Sequence, residues 1–426
     1  MPSSSTCIEY TIWSILMTTY HNRITMDHLF IARQPIYNRD KGVMGYELLY
    51  RNDAVNKASF TDGDLASCET ILNSFMHVGI DNIVGSSLAF INLPRAFIVN
   101  ETLTPMFKEQ AVLEILEDIE PDREVIEGLK RLKSEGYLIA LDDFIYRDEL
   151  IPFIELADYI KIDVNDLDQS EIKHQYSLLE KYSTKLIAEK VETHDLFQLC
   201  YELGFDFFQG FFFCHPEMLK QKSLPSNKLV VLNLINKMQD PEISSDELEK
   251  ILIQDITLSY KLLRYINSAA FGLRHEVDSI KDAIILLGMN NLKNWVSLIM
   301  MSKIIDTKPT ELIVTGMIRG KMCELLAEKD HPEIKHQMFV IGLFSVLDAL
   351  MDQPLIDLLD TVILSTPIKL ALLDKSGIQG EIYQYVLQYE KCDWDELNHS
   401  NIDIQDFIQS YLTAVYWADE NMKALL

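Results

Sequence analysis

The chain has 426 residues, with 38 basic and 65 acidic side chains and a formal net charge of −27 at neutral pH. So large a negative charge repels phosphate backbones and anionic lipids, which argues against non-specific binding to nucleic acid or to a membrane surface. The composition, with 48% hydrophobic and 24% charged residues, is that of a folded chain. Its length predicts about two or three domains.

The six cysteines form no C-x-x-C pair, so the sequence predicts neither a zinc knuckle nor a redox dithiol. The apolar stretch at 7–20 is short, contains Glu9 and follows no basic cluster, so it fits neither a membrane span nor a secretory signal. We therefore expect a cytoplasmic protein with reduced thiols and no membrane segment. Residues 1–25 precede the first strand-like pattern, and we expect them to be an appended or wrongly assigned start.

The first half alternates short apolar runs with helix-length amphipathic segments. The runs span residues 28–36, 42–49, 88–93, 111–116, 138–144, 159–164, 185–191 and 205–213. Apolar strands separated by helices predict a largely parallel sheet, and about eight such units predict a closed, TIM-like (β/α) barrel. We expect this α/β domain to span residues 26–218, followed by a linker at 219–228.

From residue 229 to residue 426, apolar side chains recur at three- and four-residue spacing, which predicts an all-helical domain. Ser244 or Ser245 is the expected N-cap of one helix, because the acidic sequence DELE follows. Gly288 lies where another helix is expected to end. The predicted architecture is therefore a TIM-like barrel followed by an all-α domain.

Polar side chains lie within or at the carboxyl end of most of the predicted barrel strands. They are Glu47, Asn92, Glu114, Glu117, Asp142, Asp143, Lys161, Glu189, Glu192 and Gln209. In a barrel these strand ends meet at one mouth. Converging carboxylates repel one another unless cations are present, and their oxygens suit Mg²⁺ or Mn²⁺, so the pattern predicts a divalent metal site. For a single acid such as Glu117 or Glu192, a helix cap or a solvated loop residue is the alternative.

These residues lie in motifs that resemble the EAL domain, a barrel that hydrolyses cyclic di-GMP. The motifs are YELLYRN (46–52), FINL (90–93), LEILE (113–117), ALDDF (140–144), IKID (160–163), AEKVET (188–193) and FQGFFF (208–213). The resemblance extends from about residue 28 to residue 216 and depends on seven motifs in the same order.

The resemblance implies a role for each matching residue. The implied metal ligands are Glu47, Asn92, Glu114 and Asp142, with Asp143 at a second ion. Lys161 and Glu189 are implied to hold the attacking water with Gln209 beside them, Arg51 to face a substrate phosphate, and Glu117 to steady the loop after the paired aspartates. Leu49 ends the name-giving motif, which reads Glu47-Leu48-Leu49 here, and is assigned to the substrate side.

Three further departures from the family pattern concern backbone geometry and charge. The glycine-rich stretch after D-D-F is replaced by residues 145–148, a threonine by Leu116, and the glycine of A-E-G-V-E-T by Lys190. Glycine supplies backbone geometry that other residues resist, so weakened or lost hydrolysis is an alternative. Lys190 is expected either to pair with an acid in place of a metal or to point to solvent.

The helical half contains no His-Asp dipeptide, so it cannot build the metal centre of the HD phosphohydrolases. Across about residues 227–300 it resembles the HDOD domain, a helical relative of that class without the metal residues. The resemblance implies a signalling or protein-interaction module rather than a catalytic one.

The leading hypothesis is a cyclic di-GMP phosphodiesterase that uses Mg²⁺ or Mn²⁺ and yields the linear dinucleotide, with the HDOD domain binding a protein partner. A homodimer is compatible with the resemblance. The alternative is a catalytically inactive receptor or scaffold. The hydrolytic hypothesis expects the carboxyl oxygens of Glu47, Glu114 and Asp142 to converge around a space for an ion, with Lys190 directed away. A lysine ammonium seated among those oxygens is expected to leave only the receptor or scaffold alternative.

Overall fold

The computed structural model describes residues 29–52, 79–100, 108–210, 212, 232, 235–237, 240, 243–254, 256–267, 277, 279–302, 308–397 and 400–425. The chain divides into two compact units, one of residues 28–215 and one that contains residues 216–426. The first is a closed barrel and the second is helical, which confirms the predicted fold class. The expected extension at 1–25 and linker at 219–228 lie outside the described residues.

The barrel closes in chain order from β1 to β8 and back to β1. Its strands are β1 (Leu29–Asn38), β2 (Val43–Asn52), β3 (Leu88–Leu93), β4 (Ala111–Ile115), β5 (Leu138–Leu141), β6 (Tyr159–Asp163), β7 (Lys185–Glu189) and β8 (Phe207–Gln209). Each of the eight apolar runs seen in the sequence therefore coincides with one strand, although β1 and β2 continue past the ends of their runs.

The first strand departs from the predicted parallel arrangement. β1 pairs antiparallel with both β2 and β8, whereas neighbouring strands from β2 to β8 are parallel. Residues 39–42 alone connect β1 to β2, and the side chain of Asn38 closes this turn by accepting hydrogen bonds from the amides of Asp40 and Gly42. So short a connection can join antiparallel strands only, because a parallel crossover needs a dozen or more residues.

The helices of the barrel unit connect successive parallel strands. They are α1 (Asp81–Val84), α2 (Arg95–Val99), α3 (Arg123–Glu135), α4 (Ile151–Ile154), α5 (Gln169–Leu179) and α6 (His194–Leu203). Side-chain caps define where the longer ones begin: Asp122 accepts from the Val125 amide, and Thr193 accepts from the Leu196 amide. The Thr193 cap leaves only residues 190–193 between β7 and α6, which holds that loop close to the barrel mouth.

The second unit is built from helices throughout its described part. They are α7 (Ser245–Gln254), α8 (Ile256–Ile266), α9 (Ile280–Leu287), α10 (Met289–Ser302), α11 (Glu311–Asp330), α12 (Lys335–Phe344), α13 (Leu347–Met351), α14 (Leu355–Thr361), α15 (Thr366–Asp374), α16 (Gly377–Glu390), α17 (Trp394–Leu397) and α18 (Ile404–Leu425). Ser244 caps α7 through the Glu247 amide, and α9 ends at Gly288 with a positive φ of 74°, as expected. Trp295, Met300 and Met301 are buried in the core.

Among the described residues, no single helix is long and apolar enough to cross a membrane. Helix α9 and residues 289–301 meet the length and composition criteria only as a pair, and the chain bends by 113° between them.

A charged cluster is buried between α11 and α12. Glu324 accepts a hydrogen bond of 2.7 Å from Lys321 Nζ, and His336 Nδ1 lies 3.6 Å from the other Glu324 oxygen. Burial alone would raise the pKa of Glu324, but attraction to Lys321 and bonding to His336 outweigh it and lower the pKa to about 2. A carboxylate whose pKa is depressed in the folded state stabilises that state above its ordinary pKa, and the stabilisation is lost as the pH falls towards 2.

We expect Glu324→Gln to lower the free energy of unfolding at neutral pH by about 3 kcal/mol, because it leaves a buried ammonium without its carboxylate. The deficit should shrink as the pH falls from 4.5 towards 2. Urea denaturation followed by tryptophan fluorescence measures this change in the helical unit, since residues 28–215 contain no tryptophan.

Glu420→Gln is the matched control, because Glu420 also pairs with a lysine three residues away, Lys423, but on the surface. Its loss should stay below about 1 kcal/mol. Equal losses in the two variants would contradict a stabilising role for the buried cluster.

Candidate metal centre at the barrel mouth

Six polar residues of the barrel mouth each lie two positions after an apolar residue that belongs to the barrel interior or packs against it. The pairs are Phe90 and Asn92, Val112 and Glu114, Ala140 and Asp142, Tyr159 and Lys161, Ile187 and Glu189, and Phe207 and Gln209. Side chains alternate between the two faces of a strand, so an inward apolar residue places the side chain two positions later inside the barrel as well. The result is a layer of charge above an apolar core.

Lys161 on β6 lies at the centre of this layer. Its Nζ is 2.7 Å from Glu114 Oε1, 2.8 Å from Asp142 Oδ1, 2.8 Å from Glu189 Oε1 and 3.0 Å from Glu47 Oε2. The four carboxylates come from β2, β4, the end of β5 and β7. One ammonium therefore holds together side chains from positions 47 to 189 of the chain. We call Lys161 and these four acids the Lys161 cluster.

The Lys161 cluster carries more negative than positive charge, and water does not screen it. Four carboxylates against one ammonium leave a formal excess of three negative charges. The side chains of Lys161 and Glu114 have no exposed surface, and that of Asp142, the most exposed of the five, is 14% exposed. Such an excess in a low-dielectric interior favours uptake of protons or of another cation.

The pKa values follow from this charge balance. Burial raises the pKa of Glu114 well above its ordinary value and that of Glu189 to about 8, against the attraction of Lys161. Burial alone would lower the pKa of Lys161, but the surrounding carboxylates, Glu114 first among them, raise it well above its usual range. Lys161 therefore stays charged, whereas Glu189 favours a proton or a cation near neutral pH, and the raised pKa of Glu114 acts in the same direction.

Unsatisfied oxygens indicate where a hydrogen-bond donor or a further cation can bind. Within the described part of the chain, Glu114 Oε2, Glu189 Oε2 and Gln209 Oε1 are buried without a hydrogen-bond partner. Gln209 uses its Nε2 to donate to Glu47 Oε2 at 2.6 Å and to Gln34 Oε1 at 3.0 Å, which orients the Glu47 carboxylate. Buried oxygens of this kind are costly unless a donor or a metal satisfies them.

The donor set fits a divalent cation in chemistry, although Lys161 stands where the ion was expected. Carboxylate and amide oxygens are hard ligands, and their excess charge is negative. No group of three or more acidic, histidine or cysteine side chains in the described ranges encloses an open metal-binding space. The carboxyl groups of Glu47, Glu114 and Asp142 converge, as expected. The prediction of an open space between them was wrong, because the Lys161 ammonium fills that space.

Asp143 belongs to a second group, formed with Lys190 and Asp163. Lys190 Nζ lies 2.6 Å from Asp163 Oδ2, and 3.2 and 3.4 Å from the two Asp143 oxygens. We call these three residues the Lys190 cluster. Burial alone would lower the pKa of Lys190, but Asp163 and Asp143 raise it above its usual range, so the ammonium stays charged. Of the two expected outcomes for Lys190, pairing with an acid is the one observed.

The segment that replaces the family's glycines is held by contacts with neighbouring elements. The Tyr146 amide donates to Gln175 Oε1 on α5 at 2.9 Å, and Arg147 lies 3.8 Å from Glu120, in the segment after β4. A short 3₁₀ turn follows at Asp148–Leu150.

Four further residues were assigned a role by resemblance. Asn92 is the register neighbour of Glu114 and is half-buried, and Glu117 is exposed in the turn after β4. Leu49 is half-buried on β2 opposite Ala32, and the side chain of Arg51 lies outside the described residues. Their assigned roles stay predictions.

Sequence reasoning missed two residues of the mouth, Asp163 and Gln34. Asp163 lies two positions after Lys161 on β6. Its side chain is therefore on the same face of the strand, which is the signal that could have identified it. Gln34 was harder to find, because its place beside Gln209 depends on the antiparallel pairing of β1 with β8.

We expect Lys161→Met to destabilise the barrel by about 3–5 kcal/mol, because four buried carboxylates lose their shared counter-charge. Hydrogen exchange of the amides in β6 and β7 measures this loss locally. The control is Lys133→Met, which removes a partly exposed pair with Asp158 from the same unit and should cost about 1 kcal/mol or less. Equal effects would contradict the central role of Lys161.

Comparison with known proteins gives two domain families in order along the chain. The EAL domain matches residues 99–216, and the HDOD domain matches residues 224–351. The chain is 33% identical over 404 residues to the cyclic di-GMP phosphodiesterase CdgJ of Vibrio cholerae, covering 93% of this chain and 94% of that protein. It is 31% identical over 409 residues to the uncharacterized protein YuxH of Bacillus subtilis, covering 93% of this chain and 99% of that protein.

Two similar solved structures overlap less than half of this chain. A manganese and cyclic di-GMP complex of Klebsiella pneumoniae BlrP1 has 21% identity and a TM-score of 0.36, covering 44% of this chain and 56% of that one. A c-di-GMP complex of the PaMucR phosphodiesterase has 21% identity and a TM-score of 0.34, covering 43% of this chain and 95% of that one.

Proposed function

Because the chain belongs to the family of EAL–HDOD two-domain proteins, we propose that its barrel binds cyclic di-GMP and hydrolyses it to the linear dinucleotide with a divalent cation. The observation that carries the proposal is the buried Lys161 cluster, with its excess of negative charge and its unsatisfied oxygens. The name of CdgJ, which is similar over nearly its whole length, supports the choice of substrate.

The residues that would hold the cation are Glu47, Glu114 and Asp142, with Asn92 beside Glu114 in the sheet register. Their oxygens suit Mg²⁺ or Mn²⁺. When bound, such an ion polarises phosphate oxygens and makes a water molecule more acidic. Its binding requires the Lys161 ammonium to leave some of the oxygens that it now contacts.

The chain's own residues supply proton transfer and positioning. Glu189, with a pKa raised to about 8 by burial, can exchange a proton with water near neutral pH. Lys161 keeps its charge and can hold an anionic oxygen next to Glu189. Gln209 orients Glu47 through the hydrogen bond of 2.6 Å. Together these groups fix a reacting water in one place, which lowers the entropic part of the barrier.

The direct test is hydrolysis of cyclic di-GMP by the full chain with Mn²⁺, compared with Glu47→Gln. We expect the variant to lose at least about 100-fold in turnover, because it removes a charged oxygen from the cluster. Glu202→Gln is the control, since Glu202 pairs with Gln198 on the exposed side of α6 and should leave turnover unchanged. Equal turnover in wild type and Glu47→Gln would refute the proposal.

A second candidate function is a nucleotide receptor or scaffold without catalysis. Two observations favour it: an ammonium occupies the centre of the carboxylates, and Lys190 pairs with Asp143. Calorimetry with cyclic di-GMP separates the candidates. Binding without hydrolysis supports a receptor, and no binding supports a scaffold.

For the helical unit we propose protein partner binding rather than catalysis, since its family, HDOD, was expected to act in this way and this half of the sequence has no His-Asp dipeptide. We also propose a cytoplasmic location. The buried thiols of Cys200 and Cys323, neither of which forms a disulfide, are compatible with a reducing compartment.

A further inference from the structure

Lys190 adopts a backbone conformation that favours glycine. Its φ is 52°, in the left-handed region, where a Cβ atom is crowded. Hydrogen bonds on both sides impose this conformation: the Glu189 carbonyl accepts from the Val164 amide at 3.2 Å, and the Val191 amide donates to the Gln209 carbonyl at 2.9 Å. A glycine would therefore meet the local backbone demand better, and the lysine is retained at an energetic cost.

What the lysine adds at this position is an ammonium between Asp143 and Asp163. All three side chains are more exposed than Lys161, with Lys190 itself 53% exposed. Two carboxylates and one ammonium leave a formal excess of a single negative charge, compared with three in the Lys161 cluster. The Lys190 cluster is thus close to neutral and open to water, so it has little need of a divalent cation.

Asp142 and Asp143 link the two clusters, because adjacent residues contact different ammonium groups. We infer that the Lys190 ammonium takes the place of a second cation at Asp143, so that the barrel binds a single divalent cation, at the Lys161 cluster. The inference rests on one part of the proposed function, namely that a divalent cation binds at the barrel mouth. It makes Lys190 a positioning residue that sets the metal content of the site.

The experiment is to titrate the metal-free full chain with Mn²⁺ by calorimetry and to record the electron paramagnetic resonance spectrum of the bound ions. The spectrum is needed because a chain with a net charge of −27 can bind Mn²⁺ elsewhere on its surface, whereas two adjacent ions give a spin-coupled signal. We expect one ion and an uncoupled spectrum in wild type, and two ions with a coupled spectrum in Lys190→Gly.

Two further variants separate charge from backbone. Lys190→Met removes the ammonium but keeps a long side chain, and it should also bind two coupled ions. Lys41→Gly makes the same backbone change at another lysine with positive φ, 64°, in the turn between β1 and β2, and it should keep one ion.

A spin-coupled signal in wild type, or the absence of one in Lys190→Gly and Lys190→Met, overturns the inference. A spin-coupled signal in Lys41→Gly overturns it as well. The proposed hydrolysis is tested separately. Spin-coupled ions in a wild-type chain that hydrolyses cyclic di-GMP would contradict only the inference about Lys190. A single bound ion in a wild-type chain without hydrolysis would contradict only the proposed hydrolysis.

Discussion

The contact between one buried ammonium and four buried carboxylates is the interaction on which the barrel mouth depends. Lys161 lies within 3.0 Å of Glu47, Glu114, Asp142 and Glu189, which come from separate parts of the barrel. A charge without a partner in such a place costs several kcal/mol. In the present arrangement the burial of these acids in charged form therefore depends on the lysine that the barrel brings to them.

The apolar core of the barrel determines the chemistry of this layer. Ile36, Phe90, Val112, Ala140 and Ile187 fill the interior and keep water from one side of the charges. The missing water raises the pKa of Glu114 and brings that of Glu189 to about 8. The same desolvation leaves an excess of negative charge that one lysine does not balance. A site of this kind can hold protons, the lysine alone or a divalent cation, and the proposed hydrolysis uses the last of these.

Much of the fold could be predicted from the sequence, because it depends on local patterns. The eight apolar runs each became a strand, and the three- and four-residue spacing beyond residue 229 became helices. The antiparallel β1 was missed although the four residues between β1 and β2 are too few for a parallel crossover. Attention to connection length would have found it.

The acids of the Lys161 cluster were predictable from the sequence, but their arrangement around the lysine was not. Strand ends indicated which acids would meet, since that follows from the topology of a barrel. The contacts of Lys161 depend on distances between side chains, and the periodicity of the sequence gives no information about those distances. For the same reason the sequence left two outcomes for Lys190, and only the distances to Asp143 and Asp163 distinguished them. The family resemblance added an expected role for each matching residue. It could not indicate which groups Lys190, which replaces a glycine of the family, would contact.

The most direct test of this account is an anomalous diffraction map of crystals of the full chain grown with Mn²⁺. The account predicts a manganese peak bounded by the carboxylate oxygens of Glu47, Glu114 and Asp142, with the Lys161 ammonium displaced from some of them. An ammonium still in contact with all four carboxylates, and no manganese peak beside it, would contradict the claim that this cluster is a cation site.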